Sequence, residues 1–250
     1  MSLSLAIGIT AAPRKTSYLG ETLRSLRSQV DSDIHIFCEP DTVTPPRSEL
    51  RRNAYWLYQN SVRLGNFFNW LNMTRWLLTH TDSDWILTVE DDVIFSEGAI
   101  PFAVEACTGY PADDCGFFSL YKSARFNHAI RGDTGPVFPI LPTVQPWGAC
   151  AWLFRRESLP PLLRHPLITN WRGTMPDRGL KDETVDGIDI VVAQAYQAMG
   201  RRLFLFSPSL VQHIGADSSV GNNQGLTFGR TANDFKQDAK LWTKPKPSQP

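Results

Sequence analysis

The sequence predicts an α/β domain in which helices flank a mostly parallel central sheet. Three observations carry that expectation. A strand–helix–strand unit occupies residues 3–38, strands and helices keep alternating to residue 206, and there is enough apolar material for one large core. The chain has 250 residues, of which 42% are hydrophobic, 11% aromatic and 20% charged, a composition that excludes wholesale disorder. The domain is expected over 1–235, with 236–250 a polar tail carrying Lys244-Pro245-Lys246-Pro247.

The elements follow in order. Leu3-Ser4-Leu5-Ala6-Ile7-Gly8-Ile9 alternates apolar and small side chains, as a buried strand does. Thr10 to Arg14 is a loop. Leu19, Leu23, Leu26 and Val30 then recur at helical spacing and form one apolar face. Ile34-His35-Ile36-Phe37-Cys38 is a second strand, closed by Glu39-Pro40-Asp41, and the three segments make a parallel βαβ unit. Residues 41–52, with Pro45 and Pro46, read as loop. Gly65-Asn66 precedes a long helix through Phe67, Trp70, Leu71, Thr74, Leu77 and Leu78. Trp85 to Val89 is a third strand, and it runs directly into Glu90-Asp91-Asp92-Val93-Ile94-Phe95. A helix over about 97–106 and a strand at 116–121 follow. The proline-bearing stretch 122–146 is a long connection, and such connections in compact domains are often functional. A strand at 148–154, a short helix at 157–164, a polar loop at 169–184, a helix from Asp186 to Met199 and a strand at 203–206 complete the pattern.

Charge and cysteine usage narrow the class. Lys and Arg together number 25 and so do Asp and Glu, so nothing draws the whole chain to nucleic acid or an acidic membrane. Cys38, Cys107, Cys115 and Cys150 lie far apart without CxxC spacing and read as reduced core thiols. No basic leader opens the chain, and no apolar run approaches the roughly 20 residues of a spanning helix. A soluble, cytoplasmic protein is expected.

Three places carry chemistry. Glu90-Asp91-Asp92 crowds three carboxylates at the end of a buried strand, where mutual repulsion calls for a cation. Mg²⁺ and Mn²⁺ prefer such oxygens and keep positions open for phosphate. Ligands of open α/β sheets also bind outside the carboxyl ends of strands. A bare Glu-Asp-Asp forms solvated turns as well; the buried strand before it is what points to a site. His213 lies just past a strand and close to Gly215. There it is either a satisfied strand-end histidine or a neutral imidazole that completes a metal site. Asp186 and Asp189 open the last long helix, where aspartate caps backbone N–H groups or, facing a cleft, takes a proton from a hydroxyl.

These residues fall into four ordered blocks that resemble the N-acetylglucosaminyltransferase IV family, glycosyltransferases of the GT-A (Rossmann-like) fold. The first is Ala6-Ile7-Gly8-Ile9-Thr10 with Arg14 and Tyr18 to Leu26. The second is Val89-Glu90-Asp91-Asp92-Val93, the third Thr184-Val185-Asp186, and the fourth Pro208 to Gly215 with Ser218-Ser219. The resemblance implies metal-dependent, inverting transfer of a hexose or HexNAc from a nucleoside diphosphate donor, such as a UDP-sugar, to an acceptor hydroxyl. It places Thr10, Pro13 and Arg14 on the nucleotide, Glu39 near the base or ribose, and Glu90 and Asp91 near the ribose or sugar. Asp92 and His213 would bind Mn²⁺ or Mg²⁺. Asp186 would be the general base, with Asp189 in reserve. Trp147-Gly148 suits a sugar face, and Asn69 and Arg75 lie on the helix before the acidic motif, Arg75 within reach of a phosphate.

The acceptor is open between a hydroxymethylated DNA base and a glycan or lipid precursor. Arg51-Arg52, Arg155-Arg156, Arg172, Arg178, Lys181 and Arg201-Arg202 either keep the surface soluble or track a phosphate backbone, with Trp56, Tyr58 or Trp171 stacking on a displaced base. A non-catalytic nucleotide-sugar binder and a metal-dependent phosphohydrolase are the alternative functions.

Overall fold

The computed structural model describes residues 4–123, 136–142, 148–171, 187–215, 232 and 234–236. Its centre is β1 (Leu5–Ala11), buried along its whole length because parallel strands lie on both sides of it. Those neighbours are β2 (Ile34–Cys38) and β4 (Trp85–Glu90). Outside β2 lies β3 (Tyr55–Gln59), also parallel. On the other side β4 pairs antiparallel with β8 (Ala151–Arg155), which pairs antiparallel with β6 (Cys115–Ser119). The sheet continues through β9 (Arg202–Phe206), parallel to β6, to the edge strand β7 (Val137–Ile140). The strand order is therefore β3-β2-β1-β4-β8-β6-β9-β7, with four parallel and three antiparallel pairs. A separate ribbon joins β5 (Val93–Phe95) to β10 (Val211–His213), antiparallel.

Alternation along the strands builds a core on each face. Leu5, Ile7, Ile9, Ile34 and Ile36 point into one core with Leu19, Leu23 and Leu26 of α1 (Leu19–Arg27) and Ala99, Ile100 and Val104 of α4 (Ala99–Cys107). Ala6, Phe37 and Ile86 point into the other, beneath α3 (Gly65–His80) and α7 (Ile188–Ala198). Each fully buried Leu, Ile or Phe contributes about 1.5–3 kcal/mol of transfer free energy, which is what holds two helical layers to the sheet. Gly8 lets α3 approach β1 closely: a Cβ there would lie 2.6 Å from the Met73 sulfur and 2.7 Å from Leu77.

The structure adds elements where the sequence reads as loop or shows no clear pattern. α2 (Arg47–Arg52) starts directly after Pro46 and buries only Leu50. β3 is aromatic but half-exposed, an edge strand whose pattern gives little period-2 signal. β7 lies in the long connection and carries Pro139, which an outer strand tolerates. The short helix expected at 157–164 is α5 (Leu159–Arg164), and α6 (Pro166–Thr169) follows it as a further addition. All four cysteines are buried and free. No helix among the described residues is long and apolar enough to cross a membrane. Apart from Lys236, the tail 236–250 lies outside the described residues.

Candidate active site

The topology makes a crevice before any side chain is considered. From β1 the chain moves outward to β2 and β3, while β4 lies on the opposite side of β1. The connections after β1 and β4 therefore leave the sheet in opposite senses, and the space between their carboxyl ends is where open α/β sheets take ligands. The β1 loop brings Arg14 to that point, and β4 brings Glu90, Asp91 and Asp92.

Backbone bonds fix the acidic turn. The Glu90 N–H donates to the Cys150 carbonyl at 2.9 Å, tying the end of β4 to the start of β8. Thr22 of α1 donates its hydroxyl to the Asp91 carbonyl at 2.9 Å and accepts from the Val93 N–H at 3.2 Å. The ribbon then supplies histidine. Val93 is in register with His213, and the Ile214 N–H donates to the Asp92 carbonyl at 2.8 Å. Residues far apart in the chain thus meet through three strand ends and one helix.

The side chains form a bridged set. Arg14 reaches Asp91 Oδ1 through Nε at 3.2 Å and Nη2 at 2.9 Å, and Asp92 Oδ2 through Nη1 at 2.9 Å. The Ala12 N–H donates to Asp91 Oδ2 at 3.2 Å. His213 Nε2 lies 3.1 Å from Asp92 Oδ2. Asn66, at the start of α3, donates to Glu90 Oε1 at 3.4 Å. Gly215 leaves room for this arrangement, since a Cβ there would overlap Asp92 Oδ2 and sit 2.9 Å from its Cγ.

Electrostatics sort the carboxylates. Burial, reinforced by the Asp92 charge, pushes Glu90 up to about 7. Burial also lifts Asp91 to about 6, although the Arg14 guanidinium opposes it. Asp92 is pushed up by burial too, but the His213 hydrogen bond and the His213 and Arg14 charges outweigh it and hold the group below its ordinary value. His213 moves the other way: burial lowers it, and the bond to Asp92 with the Asp92 and Glu90 charges raises it above its ordinary value. The Cys150 thiol sits among Glu90, Asp92 and Asp189 and is pushed well up, first by burial and then by those charges.

Among the described residues no group of three or more His, Cys, Asp or Glu side chains is arranged to hold a metal ion. Two residues do offer ligands. Asp92 Oδ1 and His213 Nδ1 are buried without a hydrogen-bond partner. Such orphaned polar atoms normally carry a cost of about 1–3 kcal/mol unless something fills them. One carboxylate and one imidazole, with other positions left to phosphate and water, form a donor set that suits Mn²⁺ or Mg²⁺.

The remaining expected residues divide. Thr10 is buried and donates to the Val89 carbonyl at 3.4 Å, so it knits β1 to β4. Pro13 is half-buried between Ala12 and Arg14. Glu39, buried at the end of β2, accepts from the Leu64 N–H at 2.8 Å. Asn69 is committed to the fold, donating to the Phe37 carbonyl at 2.9 Å and accepting from Asn60 at 3.0 Å. Arg75 is exposed, about 13 Å along α3 from Asn66 at the helical rise, and away from the acidic turn. Gly148 adopts φ +89°, and its N–H donates to Asp189 Oδ2 at 2.8 Å, which joins the first turn of α7 to the entry of β8. Asp189 Oδ1 also accepts from the Ile190 N–H at 3.1 Å. Asp186 and Trp147 lie outside the described residues, as do Arg172, Arg178 and Lys181.

Thr22, Asn66 and Cys150 belong to the site without a role assigned from sequence, and Gly215, noted there only as the glycine near His213, packs on Asp92. Thr22 lies inside the first sequence block and Gly215 closes the fourth. Arg51 and Arg52 are exposed on α2, whereas the Arg155-Arg156 and Arg201-Arg202 pairs have structural partners. Arg155 donates to the Thr108 carbonyl at 2.5 Å and lies over the Trp85 ring. Arg156 donates to the Leu78 carbonyl, Arg201 to those of Ala112 and Cys115, and Arg202 pairs with Asp114. Cations beside the last carbonyls of a helix complement its dipole. Of the three aromatics, Tyr58 stacks on Phe37 at 4.6 Å and Trp171 packs on Phe67 at 4.1 Å, while Trp56 is 54% exposed.

No family model and no curated protein matches the chain, so the likeness to the N-acetylglucosaminyltransferase IV family rests on its four sequence blocks. Solved structures do match. GalNAc-T7 with UDP, GalNAc and Mn²⁺ gives a TM-score of 0.56 at 11% identity, over 86% of this chain and 43% of that one. The mannosyltransferase PcManGT from Pyrobaculum calidifontis, in complex with GDP-Man and Mn²⁺, gives 0.52 at 15% identity, over 84% and 56%. S. aureus TarS gives 0.52 at 12% identity, over 86% and 37%. The chain spans between 37% and 56% of the length of these structures. The fold is GT-A-like.

Proposed function

We propose that this chain is a metal-dependent, inverting glycosyltransferase that moves a sugar, a hexose or HexNAc, from a nucleoside diphosphate donor such as a UDP-sugar to an acceptor hydroxyl. The observation that carries the reading is the Arg14–Asp91–Asp92–His213 set in the crevice between β1 and β4. The fold supports it, as do the ligands named for the similar structures, GDP-Man with Mn²⁺ and UDP with Mn²⁺. The four sequence blocks support inversion and a family like the N-acetylglucosaminyltransferase IV enzymes.

Asp92 and His213 would hold Mn²⁺ or Mg²⁺, which when bound supplies a Lewis acid to the leaving diphosphate. Arg14 would grip phosphate oxygens through its planar fork. Thr10, Pro13 and Glu39 line the side where base and ribose would lie, and Asp91 and Glu90 face the ribose and sugar. Asp186 is assigned as the base that takes the acceptor proton, a role worth about 10²–10⁴ in rate. Asp189, whose two oxygens already accept from Gly148 and Ile190, is the reserve base and primarily positions Gly148 at the sugar side. The commitment of Arg155, Arg156, Arg201 and Arg202 to carbonyls and Asp114 favours a glycan or lipid precursor over DNA as acceptor.

The test is a thermal-shift screen of UDP, GDP and their sugars with and without Mn²⁺. A ligand at a hundred times its Kd stabilises the native state by about 2.7 kcal/mol. The expected result is a metal-dependent shift that disappears in Asp92→Asn, followed by transfer once an acceptor is added. The absence of a shift with every nucleotide would overturn the reading. Donor hydrolysis at full rate without acceptor would replace it with a phosphohydrolase, and binding without turnover would replace it with a nucleotide-sugar binder. Binding of hydroxymethylated DNA with a steep salt dependence would reassign the acceptor.

A further inference from the structure

Asp92 Oδ2 is a crowded atom. It takes Arg14 Nη1 at 2.9 Å and His213 Nε2 at 3.1 Å, and Gly215 packs so closely that no Cβ fits. The same guanidinium binds Asp91 Oδ1 through two further nitrogens. Arg14 therefore already serves as the cation of the acidic turn, and its side chain is only 10% exposed. A divalent ion placed against Asp92 would meet this positive charge at close range and little screened by water. Arg14 must release Asp92 before such an ion can bind well.

We propose that Arg14 makes divalent-cation binding conditional on the nucleotide: it is the resident counter-ion of Asp91 and Asp92, and a diphosphate draws it off Asp92 and so opens the metal site. The inference rests on the donor reading above and adds an order of binding to it. Phosphate oxygens compete well for a guanidinium because the fork matches two of them at once. Asp92 Oδ1, buried without a partner, and the Oδ2 that the guanidinium vacates are the carboxylate atoms then offered to an ion, with the His213 ring beside them. Linkage makes the effect reciprocal, so metal and nucleotide must each raise the other's affinity by the same factor.

The test is direct Mn²⁺ binding to the full chain, read by the electron paramagnetic resonance signal of free Mn²⁺. Titrations are run alone and with UDP, GDP, ADP or CDP, with protein-free mixtures subtracted. Wild type is expected to take up Mn²⁺ weakly alone and about tenfold or more tightly with a nucleotide that fits, the usual range of such couplings. Arg14→Met is expected to bind Mn²⁺ alone at least about tenfold more tightly than wild type, with the nucleotide effect on metal reduced toward unity. Melting temperatures give a second readout: Mn²⁺ alone should stabilise Arg14→Met more than wild type. Should Arg14→Met fail to fold, Arg14→Lys keeps one charge without the fork and should give intermediate coupling. Equal Mn²⁺ affinity of nucleotide-free wild type and the Arg14 variants would overturn the counter-ion role while leaving the donor reading intact. A failure of wild type and variants to bind Mn²⁺ with any of the nucleotides would overturn both.

Discussion

Replacing Gly215 with alanine tests the geometry of the acidic turn without reference to any ligand. Gly215 is buried, and its φ lies outside the left-handed region, so alanine suits the backbone. By unfolded-state entropy alone Gly→Ala would stabilise the protein by about 0.4–1 kcal/mol. The structure predicts the opposite sign. The new Cβ would overlap Asp92 Oδ2 and lie 2.9 Å from Cγ and 3.1 Å from Cβ of the same residue. Asp92 cannot turn away freely, because Arg14 and His213 hold Oδ2 at 2.9 and 3.1 Å. Each of these charge-assisted bonds is worth about 1.5–3 kcal/mol, and partial relaxation leaves an expected loss of about 2–4 kcal/mol. Urea unfolding at fixed pH measures it as a lower midpoint with an unchanged m-value. Gly20→Ala in α1, where an added Cβ meets nothing within 4 Å, is the control and should gain about 0.5–1 kcal/mol. A Gly215→Ala variant as stable as wild type, or more stable, would refute the claim that this glycine exists to seat the Asp92 carboxylate.

Three other outcomes are expected. Gly8→Ala should cost about 1–3 kcal/mol, because α3 must move off β1 where Met73 and Leu77 touch, yet nucleotide affinity should be retained; titration calorimetry beside urea unfolding checks both. Asp189→Asn should lose one of its two backbone acceptor bonds and about 1 kcal/mol of stability, and should slow transfer far less than Asp186→Asn, for which a drop of about 10²–10⁴ is expected. Stability without divalent cations should fall with rising pH. Glu90 and Asp91, raised to about 7 and about 6, contribute stability that is complete below their unfolded values and lost as pH rises through the folded ones. His213, also raised, acts in the same direction, while the lowered Asp92 acts oppositely and only in acid. Glu90→Gln should therefore flatten the profile and gain about 2 kcal/mol near pH 8, allowing for the solvent that Glu90 retains. A wild-type profile that rises from about pH 5.5 to 8 would contradict this sign.

Local pattern determined a large part of this protein. The apolar alternation of 5–11, the spacing of Leu19, Leu23 and Leu26, and the run from Trp85 into Glu90-Asp91-Asp92 identified β1, α1 and β4 because buried strands and amphipathic helices write their period into neighbouring residues. The half-buried edge strand β3 and the Pro-bearing β7 wrote no such period, since an outer strand needs little burial. The acidic turn was legible as a concentration of charge at a strand end, and His213 as a candidate beside it. What sequence could not decide was who neutralises whom. That depends on β10 pairing with β5, which brings His213 to Asp92, and on the β1 loop crossing to β4, which places Arg14 on both aspartates. The roles of Thr22 and Gly215, the withdrawal of Arg75 from the site, and the commitment of Arg155, Arg156 and Arg201 to carbonyls have the same origin. Sequence periodicity reports which face of an element is buried, whereas charge pairing depends on distances between elements, and those exist only once the chain has packed.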